Sequence, residues 1–241
     1  MTILKVDRLK KYFPVVGGVF LRRTGWVHAV DDVSFSVDKG RTFGLVGESG
    51  CGKTTLGRCI MGLYDLTRGS VTVQGQTIST LTSFQKKKMA THLQMIFQDP
   101  YESLNPRQTV QQILEEKYRI HGHNSSHLSR EIQQLLSQVG LSKDCLSRYP
   151  HEFSGGQRQR IGIARAVSMH PDIIICDEPV SALDVSVQSK ILNLLLDLQQ
   201  SLGLTYVFVS HDLSVVRHMS DQIGVMYLGK MKRSRARIFL C

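Results

Sequence analysis

Gly47-Glu48-Ser49-Gly50-Cys51-Gly52-Lys53-Thr54 sits between a run that reads as a buried strand, Arg41–Val46, and a helical stretch, Lys53–Gly62. It fits the pattern G-x-x-x-x-G-K-[ST]. Gly47, Gly50 and Gly52 let the backbone turn tightly, so that successive N–H groups point at phosphate oxygens, and the positive end of the following helix adds to that field. Lys53 brings a point charge to the β and γ phosphates, and Thr54 a hydroxyl for Mg²⁺. A merely Gly-rich turn would have no use for the Lys-Thr pair. Because such a match arises by accident in roughly one chain of this length in a hundred, the loop alone says only that a nucleoside triphosphate binds.

Working outward, three more strand ends carry chemistry. Ile173-Ile174-Ile175-Cys176 closes on Asp177-Glu178, which puts two carboxylates at the carboxyl edge of a sheet, where ligands bind in open α/β folds. Asp177 is placed to hold magnesium, directly or through water, and Glu178 to polarise an attacking water as general base. Val207-Phe208-Val209-Ser210 ends on His211, a candidate to touch the γ-phosphate or hold the water in line. Leu93–Phe97 ends on Gln98. Phe153-Ser154-Gly155-Gly156-Gln157 precedes a helix carrying Arg158 and Arg160, and a Ser-Gly-Gly at a helix start is a second anion site.

Strands and helices alternate around these motifs, as in a parallel sheet covered by helices. Val33–Val37, Val71–Val73 and Thr205–Val209 read as further strands. From Asp99 to about Arg165 the β character vanishes and helical segments follow, broken by Gly122-His123-Asn124 and Gly140, as in a helical insertion. Val187, Ile191, Leu194, Leu195, Leu198 and Leu202 repeat at helical spacing and form the inner face of a covering helix, in a run too short for a coiled coil.

At 241 residues the chain can bury the core of one large α/β domain. No apolar run approaches the roughly 18 residues of a membrane span, and no signal segment opens the chain, so a soluble protein is expected. Five cysteines without C-x-x-C spacing point to reduced thiols. The formal charge is +10, with Lys230, Lys232, Arg233, Arg235 and Arg237 clustered near the end. Such a run suits a nucleic-acid patch or an anionic inner membrane face, but reads first as a solvated, partly disordered tail, and Lys86-Lys87-Lys88 as an exposed helix face.

Taken together, the phosphate loop, SGGQ and Asp177-Glu178 in this order resemble the ATP-binding subunit of an ABC transporter, from about Ile3 to Gly229. The resemblance implies a P-loop NTPase of the α/β class, with a RecA-like parallel core sheet, an antiparallel β subdomain and an inserted α-helical signature subdomain. The corresponding bounds are a core over 1–98 and 166–230, the helical part over about 99–165, and an atypical basic tail over 231–241. It implies ATP and Mg²⁺ as cofactors. Nucleotide contacts fall to Glu48, Ser49, Cys51 and Thr55 beside the residues already named, to Tyr12, whose aromatic ring matches the one that stacks on adenine and which has Phe13 beside it as a competitor and ordinary packing as the alternative, and to Asp184. Thr54, Gln98 and Asp177 serve the metal; Glu178, His211 and Gln98 serve the reaction. In this family two ATPase domains pack head to tail, so that Ser154, Gly155, Gly156 and Gln157 of one face ATP on Lys53 of the other.

The stretches Phe13–Phe20, Gln98–Arg107, Arg148–Ser154 and Cys176–Gln188 are similar to the oligopeptide and dipeptide importers, a group that includes nickel and glutathione importers, and to the second, F-type ATPase of such a pair. The implied partners are a second ABC ATPase subunit, two transmembrane permease subunits and an extracytoplasmic solute-binding protein, with no nucleic acid. The implied location is the cytoplasmic face of the bacterial inner membrane. Alternatives that share the motifs are a soluble ABC ATPase acting in phosphonate breakdown or on ribosomes or DNA, and an inactive truncated paralogue suggested by the short basic C-terminus.

Overall fold

A computed structural model describes residues 1–17, 22–122 and 128–236. Residues 18–20 of the Phe13–Phe20 stretch, the His123-Asn124 break, Arg237 and Cys241 lie outside the described residues. In chain order the first elements are β1 (Thr2–Gly17), β2 (Arg22–Asp38), β3 (Thr42–Val46), α1 (Lys53–Ile60), β4 (Arg68–Val73), β5 (Gln76–Thr77), α2 (Ser83–His92) and β6 (Leu93–Ile96). Four helices follow, α3 (Pro100–Ser103), α4 (Val110–Ile120), α5 (Leu128–Gln138) and α6 (Gly155–Val167), with 3-10 turns at Lys143–Ser147 and Pro150–Glu152. The chain ends with β7 (Ile173–Asp177), α7 (Val185–Leu202), β8 (Thr205–Ser210), α8 (Leu213–Met219), β9 (Gln222–Tyr227) and β10 (Lys230–Ala236).

Two compact units contain these elements, Met1–Met89 with Thr205–Cys241, and Ala90–Leu204. In the first unit an antiparallel sheet runs in the order β2-β1-β4-β5. Its strands are longer than their sequence pattern suggests: β1 was not legible, and β2 extends well before Val33. Register shifts interrupt the β1–β2 ladder between Val6 and Leu9 and again between Leu9 and Tyr12. Each shift breaks the alternation of buried and exposed side chains from which a strand is read. Beside this sheet's strands, β3 pairs in parallel with β8 on one side and β9 on the other. All five residues of β3 and all six of β8 are buried, as a strand covered on both faces requires. Phe43 on β3 stacks on Phe35 of β2 with centroids 4.3 Å apart.

The basic run corrects the expectation of a disordered tail. Lys230–Ala236 is a strand, antiparallel to β9. Leu228 and Gly229, with φ of 46° and 77°, form the two-residue turn that reverses the chain, the left-handed pair that matches strand twist in a hairpin. The edge of β9 offers unpaired backbone groups, and charge on the added edge strand discourages further pairing. Lys86, Lys87 and Lys88 are exposed on α2, as expected.

In the second unit β6 and β7 pair in parallel, with Leu93 opposite Ile173 and Ile96 opposite Cys176. The helical character expected after Asp99 is present as α3 to α6. Their inner faces, with Ile113, Leu114, Leu136, Ile161 and Ile163, are fully buried. Helix α7 turns Ile191, Leu194, Leu195 and Leu198 inward, while Val187 and Leu202 are only partly covered. Thr109 and Ser154 close reciprocal capping boxes with Gln112 and Gln157 at the starts of α4 and α6, each satisfying two otherwise orphaned N–H groups. Among the described residues no helix is long and apolar enough to cross a membrane.

Candidate functional site

The phosphate loop lies in the first unit, between the end of β3 and the start of α1. Gly52 has φ 104°, and a Cβ there would stand 2.0 Å from the Ala29 carbonyl oxygen. Only glycine fits, on both counts. The Gly229 N–H donates to Cys51 O at 3.0 Å, and Cys51 N–H donates to Glu48 O at 3.3 Å, so the loop is braced from the β9–β10 turn and within itself. Lys53 is only 4% exposed. Its ammonium donates to the carbonyls of Gly47 at 2.7 Å and Glu48 at 2.8 Å, two loop carbonyls that hold the charge inside the turn it would share with phosphate. Thr54 and Thr55 follow in the first turn of α1, and Ser49 and Gly50 form the crest, with Gly50 at φ 78°. Gly47 to Thr55 thus form one continuous turn from the end of β3 into α1.

Tyr12 belongs to the same unit. Its ring stacks on His28, the residue opposite it in the β1–β2 ladder, with centroids 4.0 Å apart and an interplanar angle of 21°. Its hydroxyl donates to Asp31 Oδ1 at 2.5 Å. That hydrogen bond raises the phenol's pKa and, with Lys10 next in effect, holds the Asp31 carboxyl down to about 2. Neighbouring Phe13 instead meets Tyr64 edge-on at 5.5 Å. His211 follows β8 directly and is exposed.

Strand β7 delivers the two carboxylates of the second unit. Asp177 is its last residue and 3% exposed. Glu178 takes φ 46°, a left-handed conformation that is costly for a side chain of this size and persists only where its surroundings hold it. Ser181 helps hold it, with Oγ 3.1 Å and N 3.3 Å from the Glu178 carbonyl oxygen. The turn brings the Glu178 carboxylate to Gln98, whose amide Nε2 donates to Oε2 at 3.2 Å. Gln98 and Glu178 are 80 residues apart, and the parallel pairing of β6 with β7 aligns their strand ends.

Ser154 caps α6 from an exposed position, accepting from Gln157 N–H at 3.4 Å while its own N–H donates to Gln157 Oε1 at 3.0 Å. Gly155 and Gly156 form the first turn behind it, and Asp184 occupies the position before α7. Cys51, Cys59, Cys145 and Cys176 are free and buried. Burial pushes the Cys59 thiol up to about 11 and Cys176 higher still, with Asp177 adding to the latter. Cys59 and Cys176 are unreactive packing thiols.

The proposed magnesium donors suit that ion. Thr54 offers a hydroxyl, Gln98 an amide carbonyl and Asp177 a carboxylate, all hard oxygens. Among the described residues no three His, Cys, Asp or Glu side chains gather into a metal cage. Mg²⁺ retains waters and phosphate oxygens and asks for only one or two protein carboxylates. Asp31 and His28 were invisible to motif reading: Asp31 looks like half of an ordinary Asp31-Asp32 pair, and only the β1–β2 register brings either residue to Tyr12.

The ABC transporter family model matches residues 30–181, a span that takes in the phosphate loop, Gln98, Ser154 and both carboxylates. The chain belongs to the ABC transporter family. This ABC ATPase is 54% identical over 232 residues to the oligopeptide transport ATP-binding protein AppF of Bacillus subtilis (strain 168), covering 95% of this chain and 70% of that one. It is 50% identical to the dipeptide transport ATP-binding protein DppF of Escherichia coli (strain K12), over 95% of this chain and 68% of the other. Among solved structures, the ATP-binding cassette MJ0796, a post-hydrolysis dimer bound to ADP and Pi, superposes with a TM-score of 0.85 at 28% identity, covering 98% of this chain and 99% of that one.

Proposed function

We propose that this ABC ATPase is the ATP-hydrolysing subunit of an importer for peptides or related small solutes, peripheral to the cytoplasmic face of a membrane. ATP is the substrate. Lys53 and the N–H groups of Gly47 to Thr55 bind its phosphates, and Tyr12 meets its base. Glu178 accepts the proton of the attacking water, Gln98 orients that carboxylate, and His211 and Asp184 line the nucleotide. Thr54, Gln98 and Asp177 would hold Mg²⁺, which when bound neutralises charge on the phosphate oxygens. Ser154, Gly155, Gly156 and Gln157 serve a nucleotide carried by a second ATPase subunit, which fits a helix start that is exposed and already ordered by its own capping box.

The observation that carries hydrolysis is Glu178, held at φ 46° after a buried strand with its carboxylate met by Gln98. Such strain is retained where a side chain must point one way. The peptide class rests on the transport proteins of 50–54% identity. The test is to affinity-purify the tagged chain from its native membranes in mild detergent. Two membrane subunits, a second ATPase and an associated peptide-binding protein are expected. Recovery with ribosomes or a soluble enzyme complex instead would overturn the importer reading.

A further inference from the structure

We infer that Asp31 is a positioning residue for the nucleotide base: it locks the Tyr12 ring through the hydroxyl and so presents the face opposite His28 to the base of a nucleoside triphosphate. This rests on the reading of Tyr12 as the base-stacking residue and adds a cause for its orientation.

An isolated tyrosine on a strand can swing about its two side-chain torsions. Tyr12 is held at both ends, since its N–H donates to Thr67 Oγ1 at 3.0 Å and its hydroxyl to Asp31 Oδ1 at 2.5 Å. Asp31 is itself fixed. Lys10 Nζ lies 3.2 Å from Oδ1, Lys230 Nζ lies 3.3 Å from Oδ2, and the Asp31 N–H donates to Gly229 O at 2.7 Å. Three side chains from two strands thus converge on a carboxylate whose backbone is pinned to the β9–β10 turn. A hydrogen bond to an ionised acceptor is stronger than one between neutral groups, so the hydroxyl has a firm anchor.

His28 covers one face of the ring at 4.0 Å, so an incoming base would stack on the opposite one. The strand segment from His28 to Asp31 also braces the phosphate loop, because the Ala29 carbonyl fills the space beside Gly52 and Gly229 joins Asp31 to Cys51. Base platform and phosphate cradle share one mount. A ring already in place loses little freedom when the base arrives, which favours affinity without any new contact.

The experiment measures affinity of the full chain for ATP and for inorganic tripolyphosphate, which has the charges but no base, in the wild type, Asp31→Asn, Tyr12→Phe, the double variant and Tyr12→Ala. Asp31→Asn and Tyr12→Phe should each weaken ATP about three- to tenfold, the range for losing one charge-assisted hydrogen bond. The double variant should be no weaker than the worse single one, and tripolyphosphate affinity should not move. If Tyr12→Ala leaves ATP affinity intact, the base-stacking reading fails. If Tyr12→Ala weakens ATP but Asp31→Asn does not, or the two losses add, Asp31 does not act through Tyr12. Equal loss of tripolyphosphate binding would make Asp31 a brace of the loop alone. Should Asp31→Asn not fold, Tyr12→Phe decides by itself, because it keeps both lysine pairs; undiminished ATP binding there overturns the inference.

Discussion

Glu178 combines three constraints in one residue: a left-handed backbone, a carboxylate met by the Gln98 amide, and a fully buried strand behind it. Replacing it by Gln keeps size and the capacity to meet Gln98 while removing the base. Glu178→Gln should therefore bind ATP as the wild type does and release phosphate about 10²- to 10⁴-fold more slowly. Undiminished phosphate release in a stopped or continuous assay would take the base role from Glu178. Asp31 allows a second prediction at this scale. The Tyr12 hydroxyl, then Lys10, hold its carboxyl at about 2 against an ordinary 3.8. A lowered folded-state pKa means that the folded state favours the ionised form, so this contribution is whole above about pH 4 and is lost as pH falls through about 2. Comparing denaturant midpoints of the wild type and Asp31→Asn, the gap between them should close across that acid window. A constant gap would show that the carboxylate is not held as the geometry indicates.

Helix α4 places a cation between an amide and a carbonyl oxygen, with no carboxylate bonded to it among the described residues. The Lys117 ammonium donates to Gln94 Oε1 on β6 and, at 2.6 Å, to the Arg165 carbonyl on α6. Burial, and after it the Arg165 guanidinium, pull its pKa down to about 7 from 10.5. The arrangement ties together the strand that leads to Gln98 and the helix that begins at Ser154. The slope has the same sign as for Asp31, since both pKa values are lowered on folding, although here the folded state disfavours the charged form. Between about pH 7 and 10.5 the unfolded chain binds the proton and the folded chain does not, so stability rises with pH across that window. Lys117→Met keeps the stem and removes the ammonium. Relative to this variant, wild-type stability should climb from pH 7 toward 10, and parallel curves would exclude a desolvated ammonium. Nothing in the local pattern of α4 marks the Lys117 ammonium as desolvated, because the residue lies among Glu115, Glu116 and Arg119 on a helix that reads as amphipathic.

At the scale of the molecule, one chain carries two helix starts that we propose bind phosphate, the Lys53 loop on α1 and the Ser154 turn on α6. If Ser154 serves a nucleotide on another subunit, hydrolysis is a property of pairs. Specific ATPase activity should then rise with chain concentration, or on adding the cognate second ATPase, and Ser154→Arg should abolish that rise while leaving the affinity of the dilute chain for ATP unchanged. Activity per chain that stays constant on dilution, with only monomer in sedimentation, would rule out a shared site.

Local chemistry wrote much of this protein into its sequence. A phosphate loop, two carboxylates at a strand end and a Ser-Gly-Gly helix start each need particular residues within a few positions, so their identity, order and membership in the ABC transporter family are legible without coordinates. Continuous apolar runs such as Ile173–Cys176 likewise announce strands buried on both faces. Only the tertiary structure decided the rest, because it depends on register and reach between distant segments. Ladder irregularities hid β1, and a free edge on β9 turned the basic run from Lys230 to Ala236 into a strand. The pairing of β1 with β2 brought His28 and Asp31 to Tyr12, and the pairing of β6 with β7 brought Gln98 to Glu178. No window of sequence contains both partners of such a contact, and the chemistry of one partner does not name the other.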